Sequence, residues 1–165
     1  MIRRSLAFVA VFGTLQMGWQ LLDGTALQHF LIARGVVAPA ASIGRALTPS
    51  LGIYAAGNRL RGPGGGINVV NGCDGMETLF LLLAGFAVAP LPPQARIRGV
   101  LAGIPLVYVL NLARILGLFY ARRVDMGIFD VMHGIVTPVL MVVSIAAFYY
   151  VWLRRSQLQP VKSQS

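Results

Sequence analysis

Four apolar runs, at about residues 5–22, 75–91, 99–120 and 129–153, decide what this chain can fold into. A helix that crosses a hydrocarbon layer of about 30 Å needs roughly 20 residues at about 1.5 Å each, and all four runs approach that length. Inside a bilayer no water is available to satisfy backbone N–H and C=O groups, so such runs are expected to be helical. Hydrophobic residues make up 56% of the chain and charged residues only 12%, with a mean hydropathy of +0.72, far more apolar than a soluble domain. The expected fold is an all-α integral membrane protein of about four transmembrane helices. No repeat and no low-complexity block suggests a second domain, so residues 1–165 read as one membrane-embedded unit.

The connections refine that reading. Arg3 and Arg4 precede the first run as they would in a signal peptide, but no small-x-small cleavage pattern closes it before Gln20, so it is expected to stay as a span. Pro90, Pro92 and Pro93 end the second run and predict a tight turn that makes runs two and three a hairpin. Tyr149, Tyr150 and Trp152, just ahead of Arg154 and Arg155, suggest an interfacial aromatic belt. Between the first two runs, 25–37 has the spacing of an amphipathic helix lying on the outward membrane surface, with His29 at the interface. Residues 53–70 read as two extended runs around a glycine-rich tip, a short β-hairpin leading to Cys73. The tip lacks the Lys-Ser/Thr ending of a phosphate loop. Residues 156–165 read as a disordered polar tail.

The net charge of +9 does not imply nucleic acid, because the basic residues are scattered in ones and twos between apolar runs. They read as topology signals and lipid-headgroup contacts. A cytoplasmic N-terminus keeps Arg3, Arg4, Arg96, Arg98, Arg154, Arg155 and Lys162 inside and puts all five acids outside. Four of the outward arginines, Arg34, Arg45, Arg59 and Arg61, lie in the long connecting segment, where the positive-inside rule has least force. With Cys73 the only cysteine, an internal disulfide and a multi-cysteine metal site are both excluded, and no cofactor is called for.

Arg114 is the residue that composition does not explain. It lies inside the third run with Asn111 one turn before it, and a charge at membrane depth normally faces a protein interior or a wet cavity. The topology puts Cys73 at the outer mouth of span two, Arg114 about 9 Å below the outer end of span three, and His133 about 6 Å inside span four. All three fall at one level. A thiolate is stabilised by a nearby cation, a guanidinium can hold a developing oxyanion, and an imidazole can move protons. This set suits acyl transfer, with Cys73 as nucleophile. Asn111 shares a face with Arg114 at i, i+3 and would orient it or the substrate, and Asp130, three residues before His133, would fix the imidazole. Glu77, one turn after Cys73, reads either as a substrate or ion-pair contact or as a plain helix-start carboxylate.

The segments Asn71-Gly72-Cys73-Asp74-Gly75-Met76-Glu77, Leu110-Asn111-Leu112-Ala113-Arg114-Ile115, and Phe129-Asp130 with His133 resemble the three motif blocks of the exosortase/archaeosortase family. The resemblance covers about residues 67–153. It implies a membrane-embedded cysteine protease or transpeptidase, with Cys73 as nucleophile and Arg114 and His133 as its partners. It further implies secreted substrates carrying a C-terminal sorting signal of short motif, hydrophobic helix and basic cluster, processed at the outer face of the inner membrane. Many exosortases have Ser where Asp74 stands, and this chain has fewer spans than the larger members. Two other classes compete: a small transporter or channel in which Arg114 and His133 line an anion or proton path, and a non-enzymatic assembly factor whose polar residues lock helices together. Neither gives Cys73 a role.

Overall fold

The structure, a computed structural model, describes residues 2–70 and 72–158. Seven α-helices and one small sheet follow in order: α1 (Ile2–Leu21), α2 (Ala26–Ile32), α3 (Ala38–Leu47), β1 (Tyr54–Ala56), β2 (Arg59–Gly62), β3 (Gly65–Asn68), α4 (Met76–Val88), α5 (Pro93–Val124), α6 (Met126–Val131) and α7 (Thr137–Leu158). The helical membrane-protein class is as expected, but the spans are distributed differently. Three helices among the described residues are long and apolar enough to cross a membrane: Ala26–Leu47, Pro93–Val124 and Met126–Gln157. The expected first span does form α1, which packs along α4, but Arg3, Arg4, Gln16 and Gln20 keep it less apolar than those three. The expected second span is the 13-residue α4, about 20 Å long and too short to cross alone.

The surface helix expected over 25–37 is the first half of the 22-residue helix Ala26–Leu47. Thr25 caps its start by accepting from the Gln28 N–H. The helix continues through Pro39, which would ordinarily break it, because the turn Ala33–Val37 widens to π geometry and the Ala38 N–H reaches back to the Ala33 carbonyl. Pro39 has no N–H to offer the Gly35 carbonyl four residues earlier, and the Tyr108 hydroxyl on α5 donates to that carbonyl instead, at 2.9 Å.

The same device recurs between α6 and α7. Met132–Val136 is a π turn, the Thr137 N–H bonds to the Met132 carbonyl, and Pro138 follows. The two local sequences match as well: Arg34-Gly35-Val36-Val37-Ala38-Pro39 against His133-Gly134-Ile135-Val136-Thr137-Pro138.

The prolines after α4 turn the chain back as predicted. Gly99 of α5 lies against Phe86 and Gly103 against Leu82, so the two helices run antiparallel at close approach, and a side chain at either glycine would collide with the facing one. The end of α4 leaves carbonyls that no helical N–H can reach. Tyr149 donates to Gly85 at 3.0 Å, and Arg96 donates to Ala87 and Leu91 at 3.1 and 2.8 Å. Two residues expected in the interfacial aromatic belt beside the cytoplasmic Arg154 and Arg155, Tyr149 and Trp152, turn toward the protein interior, where both pack on Phe86. Tyr150 stays exposed.

The expected two-stranded hairpin is a three-stranded antiparallel sheet in the order β1-β2-β3. Its glycine-rich tip falls between β2 and β3, with Gly62 paired to Gly65 and Gly64 at φ +84°, a conformation that favours glycine. Leu60 and Ile67, paired across the strands, are buried. The sheet closes over the C-terminal end of α5, where Arg123 donates to the Pro63 carbonyl. Of the polar tail expected from residue 156, the first part continues α7 to Leu158. Residues 159–165, Lys162 included, lie outside the described residues.

Candidate active site

Cys73 sits on the loop between β3 and α4, its N–H bonded to the Val70 carbonyl. Gly72 and Gly75 flank it with φ of +85° and +84°. Gly75 is needed for a second reason: a Cβ there would lie 2.7 Å from Cγ of Asn111. The Asn111 side chain is thus the floor under the loop that carries Cys73. It makes no hydrogen bond to Arg114, which leaves the substrate as the alternative expected for it, and its buried Oδ1 has no hydrogen-bond partner among the described residues. Asn71 lies outside the described residues.

Arg114 is fixed at three points. Its Nη1 donates to the Gly72 carbonyl at 3.1 Å, its Nε to the Thr137 hydroxyl at 3.1 Å, and its Nη2 lies 3.9 Å from Cys73 Sγ. It is ten residues, about 15 Å, from the end of α5, which extends beyond Tyr120 to Val124. His133 places Nδ1 3.7 Å from the same sulfur. The three residues expected at one level therefore meet at one atom.

The supporting residues differ from expectation. Asp130 is exposed and has no contact with His133 among the described residues. Three positions back along a helix does not put its carboxylate beside a ring that the π turn has redirected. The imidazole is instead held by Phe129, stacked on it at 5.5 Å with 5° between planes, and Arg122 covers the Phe129 ring at 5.7 Å. Glu77 is an exposed carboxylate in the first turn of α4 and pairs with nothing among the described residues. Asp74 is a brace. Its Oδ2 accepts from Trp19 Nε1 at 2.8 Å and its Oδ1 from the Met76 N–H at 3.1 Å, tying the loop to α1 and to the start of α4.

Trp19, Phe129 and Thr137 carry no ionisable group that a reading by depth would notice. Phe129 enters the sequence reading only through the motif block it shares with Asp130 and His133, and Trp19 and Thr137 only as members of apolar runs.

Burial pushes the Cys73 thiol above its ordinary value, the Arg114 charge opposes that, and the Asp74 charge adds to it. Burial likewise raises the Asp74 carboxyl against the hydrogen bonds from Met76 and Trp19. Burial thus favours the thiol over the thiolate at this sulfur. Beside the site a groove of about 230 Å³ lies between α5 and the stretch 132–144, with Arg114 and Thr137 in its wall between Gly117 and Met132 on one side and Leu110 and Ser144 on the other. No cluster of three His, Cys, Asp or Glu side chains suited to a metal occurs among the described residues.

No curated protein and no solved structure gives a significant match to the chain. The family model for transmembrane exosortases matches residues 2–150, nearly the whole length, and the chain belongs to that family.

Proposed function

We propose that this protein is a membrane-embedded cysteine protease or transpeptidase that cleaves C-terminal sorting signals of secreted proteins through a thioester at Cys73. The observation that carries the reading is the convergence on one sulfur of His133 Nδ1 at 3.7 Å and Arg114 Nη2 at 3.9 Å. His133 takes the thiol proton, and the thiolate attacks the scissile carbonyl. Arg114, bonded to Gly72 and Thr137 and so unable to swing away, faces the oxyanion of the tetrahedral intermediate. Collapse breaks the C–N bond, and the imidazolium returns its proton to the departing amine. An incoming amine or water, deprotonated by His133, then resolves the thioester.

The apolar groove between α5 and α7 opens sideways from Arg114 and suits the hydrophobic helix of a sorting signal that arrives from the lipid. Such a substrate would keep its basic cluster on the cytoplasmic side of the inner membrane, with the site facing the exterior. Co-expression with a secreted protein bearing such a tail tests the reading: Cys73→Ala is expected to abolish C-terminal trimming while its amount in the membrane stays unchanged. Trimming that persists would overturn it. A transporter, or an assembly factor held together by polar contacts, gives the thiol no work and predicts no effect of that substitution.

A further inference from the structure

The two-residue period of β2 puts Arg59 and Arg61 on one face of the strand and the fully buried Leu60 on the other. Opposite them on β3 stand Asn68 and Gly66. A side chain at Gly66 would run into the Leu60 carbonyl, so the floor between the arginines stays bare. With Arg122 from the last turn of α5 and Tyr54 from β1, these residues line a concavity of about 460 Å³. No carboxylate lines it, and the sequence has no Asp or Glu between Asp23 and Asp74. Arg59 and Arg61 are exposed and have no ion-pair partner among the described residues.

The depth of this concavity selects its ligand. Arg98 and Arg122 lie about 36 Å apart along α5 at about 1.5 Å per residue, slightly more than the roughly 30 Å hydrocarbon layer. With Arg98 at one headgroup layer, Arg122 reaches the other. The densest fixed anion at that level is the lipid phosphate, whose oxygens match the forked donors of guanidinium groups.

We propose that Arg59, Arg61 and Arg122 form a phosphate site that holds the headgroup of one anionic phospholipid in the leaflet on the sheet side. The proposal does not depend on the Cys73 chemistry, although Arg122 belongs to both neighbourhoods through its contact with Phe129. The lipid would also fix how deep the sheet, and with it the loop to Cys73, sits at the membrane boundary.

Native mass spectrometry of the full chain in a neutral detergent tests this, titrating with dioleoyl phosphatidylglycerol, dioleoyl phosphatidylcholine, inorganic phosphate or an oligoglutamate peptide. Expected is one tightly held phosphatidylglycerol per chain. Arg59→Gln with Arg61→Gln should weaken it about thirtyfold, taking about one unit of surface attraction per arginine. Arg34→Gln with Arg45→Gln removes the same charge outside the concavity and should change it less than threefold. Arg122 is left intact because it also covers Phe129 beside His133.

Equal weakening by both pairs would reduce the effect to net charge and overturn the site. Binding of phosphatidylcholine as tight as that of phosphatidylglycerol would overturn the anionic preference. Inorganic phosphate held as tightly as the lipid, or the acidic peptide held in its place, would overturn the lipid as ligand.

Discussion

The two π turns are nearly the same stretch of sequence put to different uses. Each has Gly, a β-branched residue, Val, one variable residue and then Pro, and each bonds the N–H just before the proline to a carbonyl five residues back. In the first, the variable residue is Ala38, Val37 is wholly buried, and the carbonyl orphaned by Pro39 is closed by Tyr108. In the second, none of the five residues is buried. The residue before the proline is Thr137, whose hydroxyl accepts from Arg114, and the position matching exposed Arg34 is His133. A proline-widened turn thus offers a freed carbonyl and a redirected side chain. Packing uses the first of these at 33–37, and the candidate site uses the second at 132–136.

The largest way to break that comparison is His133→Ala. If the second turn exists to present an imidazole to the thiol, trimming should fall by roughly 10²–10⁴, while Arg34→Ala, the matching change in the first turn, leaves it within about twofold. Trimming assays on membranes from the two variants check this, and equal losses would dissolve the distinction.

Next in size is Arg114→Gln, with an expected loss of roughly 10²–10³ in kcat and a change in pH dependence. The Cys73 thiol lies above its ordinary value because of burial, and Arg114 pulls it down. The rate should therefore rise as pH increases through the thiol pKa, and losing the guanidinium should move that rise to higher pH. Arg114→Lys keeps the charge and the position of the rise but not the double anchoring to Gly72 and Thr137, so its loss should appear in kcat alone.

Pro138→Ala comes third. It returns an N–H to the helix, allows the turn to tighten and swings His133 off the sulfur, for a loss of about 100-fold in trimming at unchanged expression. Pro39→Ala tightens a turn that presents nothing to the site, so trimming should hold within about twofold. Assaying the two variants side by side measures how far the second turn is specialised.

What the sequence revealed and what it concealed divide along the same line. Arg114 and His133 were legible because ionisable groups are rare in apolar runs, and Cys73 because it is the sequence's one cysteine and lies in the first motif block. Their partners were not. Depth says nothing about azimuth, so Asp130 seemed well placed beside His133, whereas the π turn gives that ring to Phe129. Trp19 read as part of a span end, yet it holds Asp74 from a different helix, 55 residues away in the chain. The surface helix was expected over 25–37 only, although it runs on through Pro39 to Leu47. The Gly-Val-Val-Ala-Pro pattern that lets Ala26–Leu47 run on is recognisable only beside its twin at 134–138.

The smallest effect sharpens the first turn instead of breaking the second. Tyr108→Phe removes the donor to the Gly35 carbonyl and leaves an acceptor that Pro39 cannot serve. A lost hydrogen bond of this kind costs about 1 kcal/mol, visible as a lower unfolding midpoint in detergent with trimming unaffected. Pro39→Ala in the same background should recover most of it, because the restored N–H can take up the Gly35 carbonyl. If the double variant is no more stable than Tyr108→Phe alone, the proline is not what orphans that carbonyl, and the kinship of the two turns rests on sequence alone.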